Sequence, residues 1–144
     1  MVKETMNGEN KIRRTSSRIT NLAIIHGLYF ILTGLWPIIH MESFVAVTGP
    51  KTDYWLVNTV GMLVFFIGSG LLIAGIKKHV PFSMIFIATG VALGFILIDV
   101  VYVWRGVLSA TYLLDAGLEL FFFISWLVFT YQSGEYEVFH ERQM

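Results

Sequence analysis

Two carboxylates stand one helical turn apart in an otherwise apolar stretch near the carboxyl terminus. Asp115 and Glu119 share a helix face because they are four residues apart, and Phe122 and Trp126 continue the same stripe. An Asp at the centre of a membrane span costs about 2.5–3.5 kcal/mol, so such residues usually face other helices and carry a function. Glu119 is the strongest candidate because, at 1.5 Å per residue from Tyr112, it lies roughly 10 Å inside its segment.

Other polar side chains fall at similar depth in the preceding apolar segments. Asp99 is followed by Tyr102 and Arg105 at successive helical turns, and Asn58 begins another segment. The first segment carries a polar and amphipathic stripe at spacings of 3, 4, 3 and 4, formed by His26, Tyr29, Thr33, Trp36 and His40. This stripe predicts a wall facing the helix that carries Asp115 and Glu119.

Each of these residues also has a structural interpretation. Asp99 and Asp115 could simply lie at the membrane interface, and Arg105 could form an ion pair with either of them. His26 could be a buried histidine bonded to a neighbouring helix. An aromatic belt at the membrane surface accounts equally well for the large rings near the segment ends, which are Trp36, Trp55, Trp104, Tyr54, Tyr102 and Tyr112. Glu119 fits a purely structural role least well.

The composition indicates what positions these residues. Of 144 residues, 56% are hydrophobic and 14% are charged, and the mean hydropathy of +0.69 leaves too little polar surface for a soluble globule. Three stretches of about 20 residues lack formal charge, and a fourth crossing must include Asp115 and Glu119 to be long enough. The sequence therefore predicts an all-α, four-helix transmembrane bundle with helices at about 21–40, 54–76, 80–104 and 108–131.

The basic residues predict the orientation. Five precede the first span and two lie between the second and third, against only Lys51 and Arg105 in the opposite loops. This positive-inside bias places both termini in the cytoplasm. Residues 1–20 are then a polar cytoplasmic lead, and residues 132–144 form a cytoplasmic tail. A cleaved signal peptide is disfavoured because the bulky Trp36 and Pro37 stand where a small-residue cleavage site would be expected.

Several kinds of site are excluded or unsupported. A net charge of zero argues against a nucleic-acid partner, and a chain without cysteine has no thiolate metal site. Bis-histidine haem ligation lacks a second histidine at matched depth, and no helical histidine pair supports a metal site. We therefore expect no metal and no cofactor.

Glycines predict where the helices touch, because close backbone approach drives association in lipid. Gly61, Gly68 and Gly75 recur every seven residues in the second span, and Gly90 and Gly94 form a GxxxG pair in the third. We expect both sets to mark contacts within the bundle. A homodimer surface is the alternative.

Three segments resemble a type of small four-helix membrane protein of bacteria. They are the run Gly34–His40, the loop Val47–Trp55, and Asp99 together with Asp115–Glu119. The resemblance implies location in the bacterial inner (plasma) membrane and points to no known activity. Membrane lipid is the partner expected of any such protein.

These features favour an outward-facing pocket that binds a small cationic or amphiphilic molecule, with proton-coupled transport as one version. Glu119 forms its floor and Asp115 and Asp99 lie above it, while the rim and walls come from Arg105, Tyr102, Tyr112, Trp36, Asn58 and His40. One alternative is a membrane enzyme that acts on a lipid or isoprenoid by carboxylate acid–base chemistry. Another is an accessory subunit of a larger membrane complex. A binder or enzyme needs a cavity of roughly 300 Å³ or more that reaches Glu119.

Overall fold

The chain is all α-helical in a computed structural model that describes the backbone of residues 2–141 and the side chains of residues 17–133. Five helices follow one another, namely α1 Val2–Ile39, α2 Met41–Thr48, α3 Tyr54–Ile76, α4 Phe82–Trp104 and α5 Tyr112–Glu141. Within the described residues, four helical segments are long and apolar enough to cross a membrane, namely Ser17–Ile39, Tyr54–Ile76, Phe82–Trp104 and Tyr112–Ser133. This arrangement indicates a membrane protein.

Helix boundaries differ from the sequence expectation where turn chemistry intervenes. The third long helix starts at Phe82 rather than residue 80, because Pro81 is extended and disfavours helix in the residue before it. Gly106 follows this helix with φ of 70°, in the left-handed region that glycine adopts readily. The fourth long helix then starts at Tyr112 rather than residue 108.

A short helix, α2, occupies the segment that was expected to be a loop. His40 separates it from α1 and caps it, since the His40 Nδ1 accepts a hydrogen bond from the Ser43 backbone N at 3.1 Å. At the other end Gly49, with φ of 87°, donates its backbone N–H to the Val45 carbonyl at 2.8 Å. These two caps explain why so short a helix forms.

The helices α1 and α3 are antiparallel and in very close contact along a line of glycines. A Cβ built at Gly34 would lie 2.5 Å from the Gly61 carbonyl oxygen, and one built at Gly27 would lie 2.7 Å from the Gly68 carbonyl oxygen. Further along the same line, a Cβ at Gly75 would lie 2.6 Å from the Ile24 side chain. The predicted contact role of the α3 glycines is therefore confirmed.

The same prediction is wrong for Gly90 and Gly94 in α4. Among the described residues, nothing lies within 4 Å of a Cβ built at either position. The opposite side of α4 carries its buried residues, which are Ala88, Ala92 and Asp99. The GxxxG pair thus lies on a face of α4 that the described residues do not cover.

The core lies where α1, α3, α4 and α5 converge. Its largest fully buried side chains are Trp126, Phe30, Leu71, His26 and Glu119. Large apolar side chains such as Leu32, Phe66 and Leu114 are more than 60% exposed on the periphery, as expected of surfaces that face lipid. Two ionisable groups among the most buried residues are the feature that calls for a functional explanation.

Candidate functional site

His26 joins α1 to α5 through two buried polar contacts. Its Nδ1 accepts a hydrogen bond from Trp126 Nε1 at 3.0 Å, and its Nε2 lies 3.4 Å from Glu119 Oε2. All three side chains are at most 1% exposed. At 3.4 Å the imidazole and the carboxyl group are within ion-pair range without forming an aligned hydrogen bond.

Trp126 determines which nitrogen of His26 carries a proton. An indole N–H can only donate, so His26 Nδ1 must accept and is unprotonated. A neutral imidazole then carries its proton on Nε2, the atom that faces Glu119. A second proton on His26 would require the contact with Trp126 to break. In this tautomer the Nε2–H of His26 faces the Glu119 carboxyl group at 3.4 Å.

Aromatic rings hold the imidazole in this orientation. Phe122 stacks on His26 with ring centroids 4.1 Å apart and planes 7° apart, and the Phe30 ring centroid lies 4.2 Å away. Stacking of this kind limits rotation of the ring and excludes water from the contact with Glu119. The position of Glu119 is thereby tied to residues on both α1 and α5.

A second polar contact between α1 and α5 lies one helical turn from the contact of His26 with Glu119. The Tyr29 hydroxyl donates a hydrogen bond to Asp115 Oδ1. The Asp99 carboxyl group of α4 lies close enough to that of Asp115 to interact with it directly. Asp99 is 3% exposed, and its Oδ2 has no hydrogen-bond partner among the described residues. A buried acceptor without a donor is uncommon in folded proteins.

These carboxyl groups line a cavity of about 430 Å³, to which all five helices contribute. Asp99, Asp115 and Glu119 lie in its wall together with Tyr29 and Tyr112. The rest of the lining is largely aliphatic and aromatic, and includes Phe30, Phe44, Leu56, Val60, Phe95 and Ile98. Three acidic groups in an apolar cavity of this size suit a small organic ligand with a charged group.

Lys51 and Phe44 of α2 line the cavity together, and we call this part of its lining the roof. The Lys51 Nζ donates to the carbonyl oxygens of Thr48 and Gly49 at 2.9 and 3.1 Å, at the carboxyl-terminal end of α2. It also lies 5.0 Å from the centroid of the Tyr112 ring. The carbonyls at a helix terminus and an aromatic face both stabilise an ammonium group. Lys51 is thus held at the roof by contacts other than the three acids.

The structure brings together some of the residues that the sequence suggested for the site and leaves others outside. Glu119, Asp115, Asp99 and Tyr112 line the cavity. The remaining five are not among its lining residues, and they are Trp36, His40, Asn58, Tyr102 and Arg105.

The residues outside the cavity have other contacts. The Trp36 Nε1 donates to Ser43 Oγ at 2.8 Å, and His40 caps α2, so both belong to the corner between α1 and α2. Asn58 is exposed near the start of α3. Arg105 is also exposed, with its guanidinium 5.8 Å from the centroid of the Tyr102 ring. Within the described part of the chain, Arg105 forms no ion pair with Asp99 or Asp115, so the expected salt bridge is not present.

His26 and Tyr29 are the residues that sequence reasoning undervalued. Both belong to the polar stripe of the first span, and a wall facing Asp115 and Glu119 was predicted for that stripe. The 3 and 4 spacing was the available signal, but it does not tell which acid each side chain meets. No sequence pattern pointed to Phe44 or Lys51 as cavity residues, because the sequence did not predict α2, which contains Phe44 and ends shortly before Lys51.

The acidic groups do not form a metal site in this geometry. Among the described residues, no group of three or more His, Asp or Glu side chains is arranged to hold a metal ion.

Comparison with protein families, with curated proteins and with solved structures finds no match to this chain. Its function therefore has to be inferred from the cavity and the side chains around it.

Proposed function

We propose that this protein is a four-helix transmembrane bundle whose cavity binds a small cationic or amphiphilic molecule at Asp99, Asp115 and Glu119. The observation that carries the proposal is the presence of three carboxyl groups in the wall of one largely apolar cavity. Two of these groups, Asp99 and Glu119, are almost completely buried. Buried carboxylates are unfavourable unless protons or a cation neutralise them, so a cation is the ligand that such a cavity favours.

Among the side chains of residues 17–133, no cationic group forms an ion pair that neutralises Asp99 or Asp115, and Glu119 faces only His26. His26 Nε2 lies 3.4 Å from Glu119 Oε2 without an aligned hydrogen bond, and its Nδ1 is occupied by the N–H of Trp126. Lys51 is engaged by the carbonyl oxygens of Thr48 and Gly49 at the roof. The compensating charge therefore comes from bound protons or from a ligand. Exchange of one for the other would couple ligand binding to proton release, which is the basis of proton-coupled transport.

The walls support an apolar body on the ligand. The volume of about 430 Å³ lies within the range of small-molecule sites, roughly 300–1,000 Å³. Phe30, Phe44 and Phe95 contribute aromatic surface, which attracts a cation through the ring face and contacts an apolar group equally well. An amphiphile with one cationic group satisfies both parts of the lining.

The proposed orientation has both termini in the cytoplasm of a bacterial cell and the roof on the outer side of the inner membrane. It is supported by the excess of basic residues in the amino-terminal segment and the α3–α4 turn. Reporter fusions at each terminus that are active only in the cytoplasm should both give signal. A silent carboxyl-terminal fusion would contradict the orientation and the fourth crossing.

Binding itself can be tested with 2-phenylethylammonium, a soluble cation with a small apolar body. We expect titration calorimetry of the full chain in mild detergent to detect binding, and Glu119→Gln to weaken it by about tenfold or more, because the amide keeps shape but cannot ionise. Glu42→Gln is the matched control, since Glu42 is an exposed acid on α2. Equal affinity in Glu119→Gln and in the unaltered protein would overturn the proposal.

A further inference from the structure

The hydrogen-bond donors around the three acids are unevenly distributed. Asp115 receives the Tyr29 hydroxyl, and Glu119 faces the Nε2–H of His26. Asp99 instead interacts with the carboxyl group of Asp115, which offers no donor when it is ionised. In the described part of the chain, no group donates to Asp99 Oδ2.

The unpartnered oxygen belongs to a deeply buried side chain in the cavity wall. Asp99 is only 3% exposed, and it is one of the residues that line the cavity. Glu119 Oε2 is also without an aligned donor, since its contact with His26 is 3.4 Å long. Buried acceptors of this kind are costly unless a donor reaches them from the adjoining space.

We infer that the ligand is a protonated amine that retains N–H bonds, a primary or secondary ammonium group on an apolar body, and not a quaternary ammonium ion. This inference rests on the proposed function and narrows the ligand to one chemical class. An N–H group supplies the donor that Asp99 lacks and the positive charge that the acids require. Charge-assisted hydrogen bonds between ammonium groups and carboxylates are among the strongest in proteins.

A quaternary ammonium ion carries the same charge but meets only half of this requirement. It interacts with aromatic faces and with the field of the acids, yet it has no proton to donate. Its methyl groups would lie against Asp99 and leave the buried Oδ2 unsatisfied. The cavity therefore discriminates between two cations of equal charge by their hydrogen bonding.

The test compares 2-phenylethylammonium with its N,N,N-trimethyl analogue on the full chain in mild detergent. Titration calorimetry should give at least about tenfold tighter binding of the primary ammonium, the effect of losing a charged hydrogen bond in a buried site. Asp99→Asn should reduce this preference to within about twofold, because the amide carries no charge and can itself donate. Asp53→Asn is the control, since Asp53 is an exposed acid before α3, and it should keep the full preference.

The outcomes separate the inference from the function on which it rests. Equal or tighter binding of the trimethyl analogue would overturn the inference and leave the cation-binding function standing. Failure of both cations to bind would overturn the proposed function as well. Because the two cations are first compared on the unaltered protein, the result does not depend on Asp99→Asn folding. A preference that persists in a folded Asp99→Asn variant would also overturn the assignment to Asp99.

Discussion

The two sides of α1 differ in the residues by which they contact neighbouring helices. The side that faces α3 carries Gly27 and Gly34, which bring the two backbones into direct contact. The side that faces α5 carries His26 and Tyr29, which reach Glu119 and Asp115 through polar groups. One helix thus joins a tightly packed interface to a polar one.

The α1–α3 interface contributes mainly to stability, whereas we expect the α1–α5 interface to contribute mainly to ligand binding. Lipid provides no hydrophobic drive for helix association, so close contact at small residues is a main source of stability. Buried ionisable groups work in the opposite direction, since each has a desolvation cost that only its partners offset. We therefore expect substitutions between α1 and α3 to change stability first, and substitutions between α1 and α5 to change binding first.

The largest effect should come from adding one methyl group at the glycine interface. Gly34→Ala would place a Cβ 2.5 Å from the Gly61 carbonyl oxygen and 2.8 Å from the Phe65 backbone N, which forces the helices apart. Overpacking of this kind should lower the free energy of unfolding by about 3 kcal/mol. The measurement is thermal unfolding in detergent followed by circular dichroism.

The matched control is Gly90→Ala in α4. That position is exposed and has no neighbour within 4 Å among the described residues, so the added methyl group should only reduce backbone entropy in the unfolded chain. We expect no loss and a gain of roughly 0.5–1 kcal/mol. Equal melting temperatures of Gly34→Ala and Gly90→Ala would contradict the assignment of Gly34 to a contact face and Gly90 to an uncovered face.

The glycines of α3 and α4 show which part of the helix packing can be predicted from the sequence. The α3 glycines and the GxxxG pair of α4 look equally promising as contact sites, yet only the α3 set is in contact. In a membrane protein both the lipid-facing and the core-facing sides of a helix are apolar, so hydropathy does not tell which side faces inward. The face of α4 that is buried is the opposite one, which carries Asp99 together with Ala88 and Ala92.

The candidate site was predictable in part for the same physical reason. The stripe of α5 was identified because charged groups in a span point inward, and Glu119, Phe122 and Trp126 are indeed buried. The pairing of His26 with Trp126 joins positions one hundred residues apart, and no local spacing encodes such a contact. The short helix α2 was missed because its caps, His40 and Gly49, were not recognised as turn signals.

A stability effect is also expected at the polar side, but only where a donor is left without a partner. Glu119→Gln keeps a polar oxygen that faces His26 Nε2, so it should unfold within about 1 kcal/mol of the unaltered protein. Glu119→Leu removes the carboxyl group 3.4 Å from His26 Nε2 and leaves this buried nitrogen against an apolar side chain, at a cost of roughly 2 kcal/mol. Thermal unfolding of both variants measures the difference.

A double-mutant cycle identifies the partner. His26→Phe combined with Glu119→Leu removes donor and acceptor together, so the pair should be less destabilising than the sum of the two single changes. Strict additivity would show that the 3.4 Å contact contributes no coupling, and that the two residues are buried for independent reasons.

A smaller effect should follow from Trp126→Phe, which removes the N–H that His26 accepts. The loss of one buried hydrogen bond costs about 1 kcal/mol, but the diagnostic change is in the imidazole. In the unaltered protein ¹⁵N NMR should find His26 protonated on Nε2 alone, and in Trp126→Phe a mixture of forms should appear. Trp36→Phe is the control, since Trp36 donates to Ser43 outside the cavity, and it should leave the His26 signals unchanged. An unaltered spectrum in Trp126→Phe would show that Trp126 does not set the tautomer.

The smallest expected effect is at the roof, where Lys51 adds positive charge to the cavity wall. Lys51→Met keeps the length of the side chain and removes the charge, so it should bind 2-phenylethylammonium more tightly. The gain should be only a few-fold, because backbone carbonyls already stabilise the Lys51 ammonium and salt screens its repulsion of a second cation. Lys51→Arg keeps the charge and should bind like the unaltered protein. Titration calorimetry at two salt concentrations checks the cause, because the advantage of Lys51→Met should shrink as salt rises. If Lys51→Met bound the cation more weakly instead, Lys51 would support the ligand rather than repel it. A ligand that carries an anionic group near the roof, opposite its ammonium group at Asp99, would then be the better description of what this cavity holds.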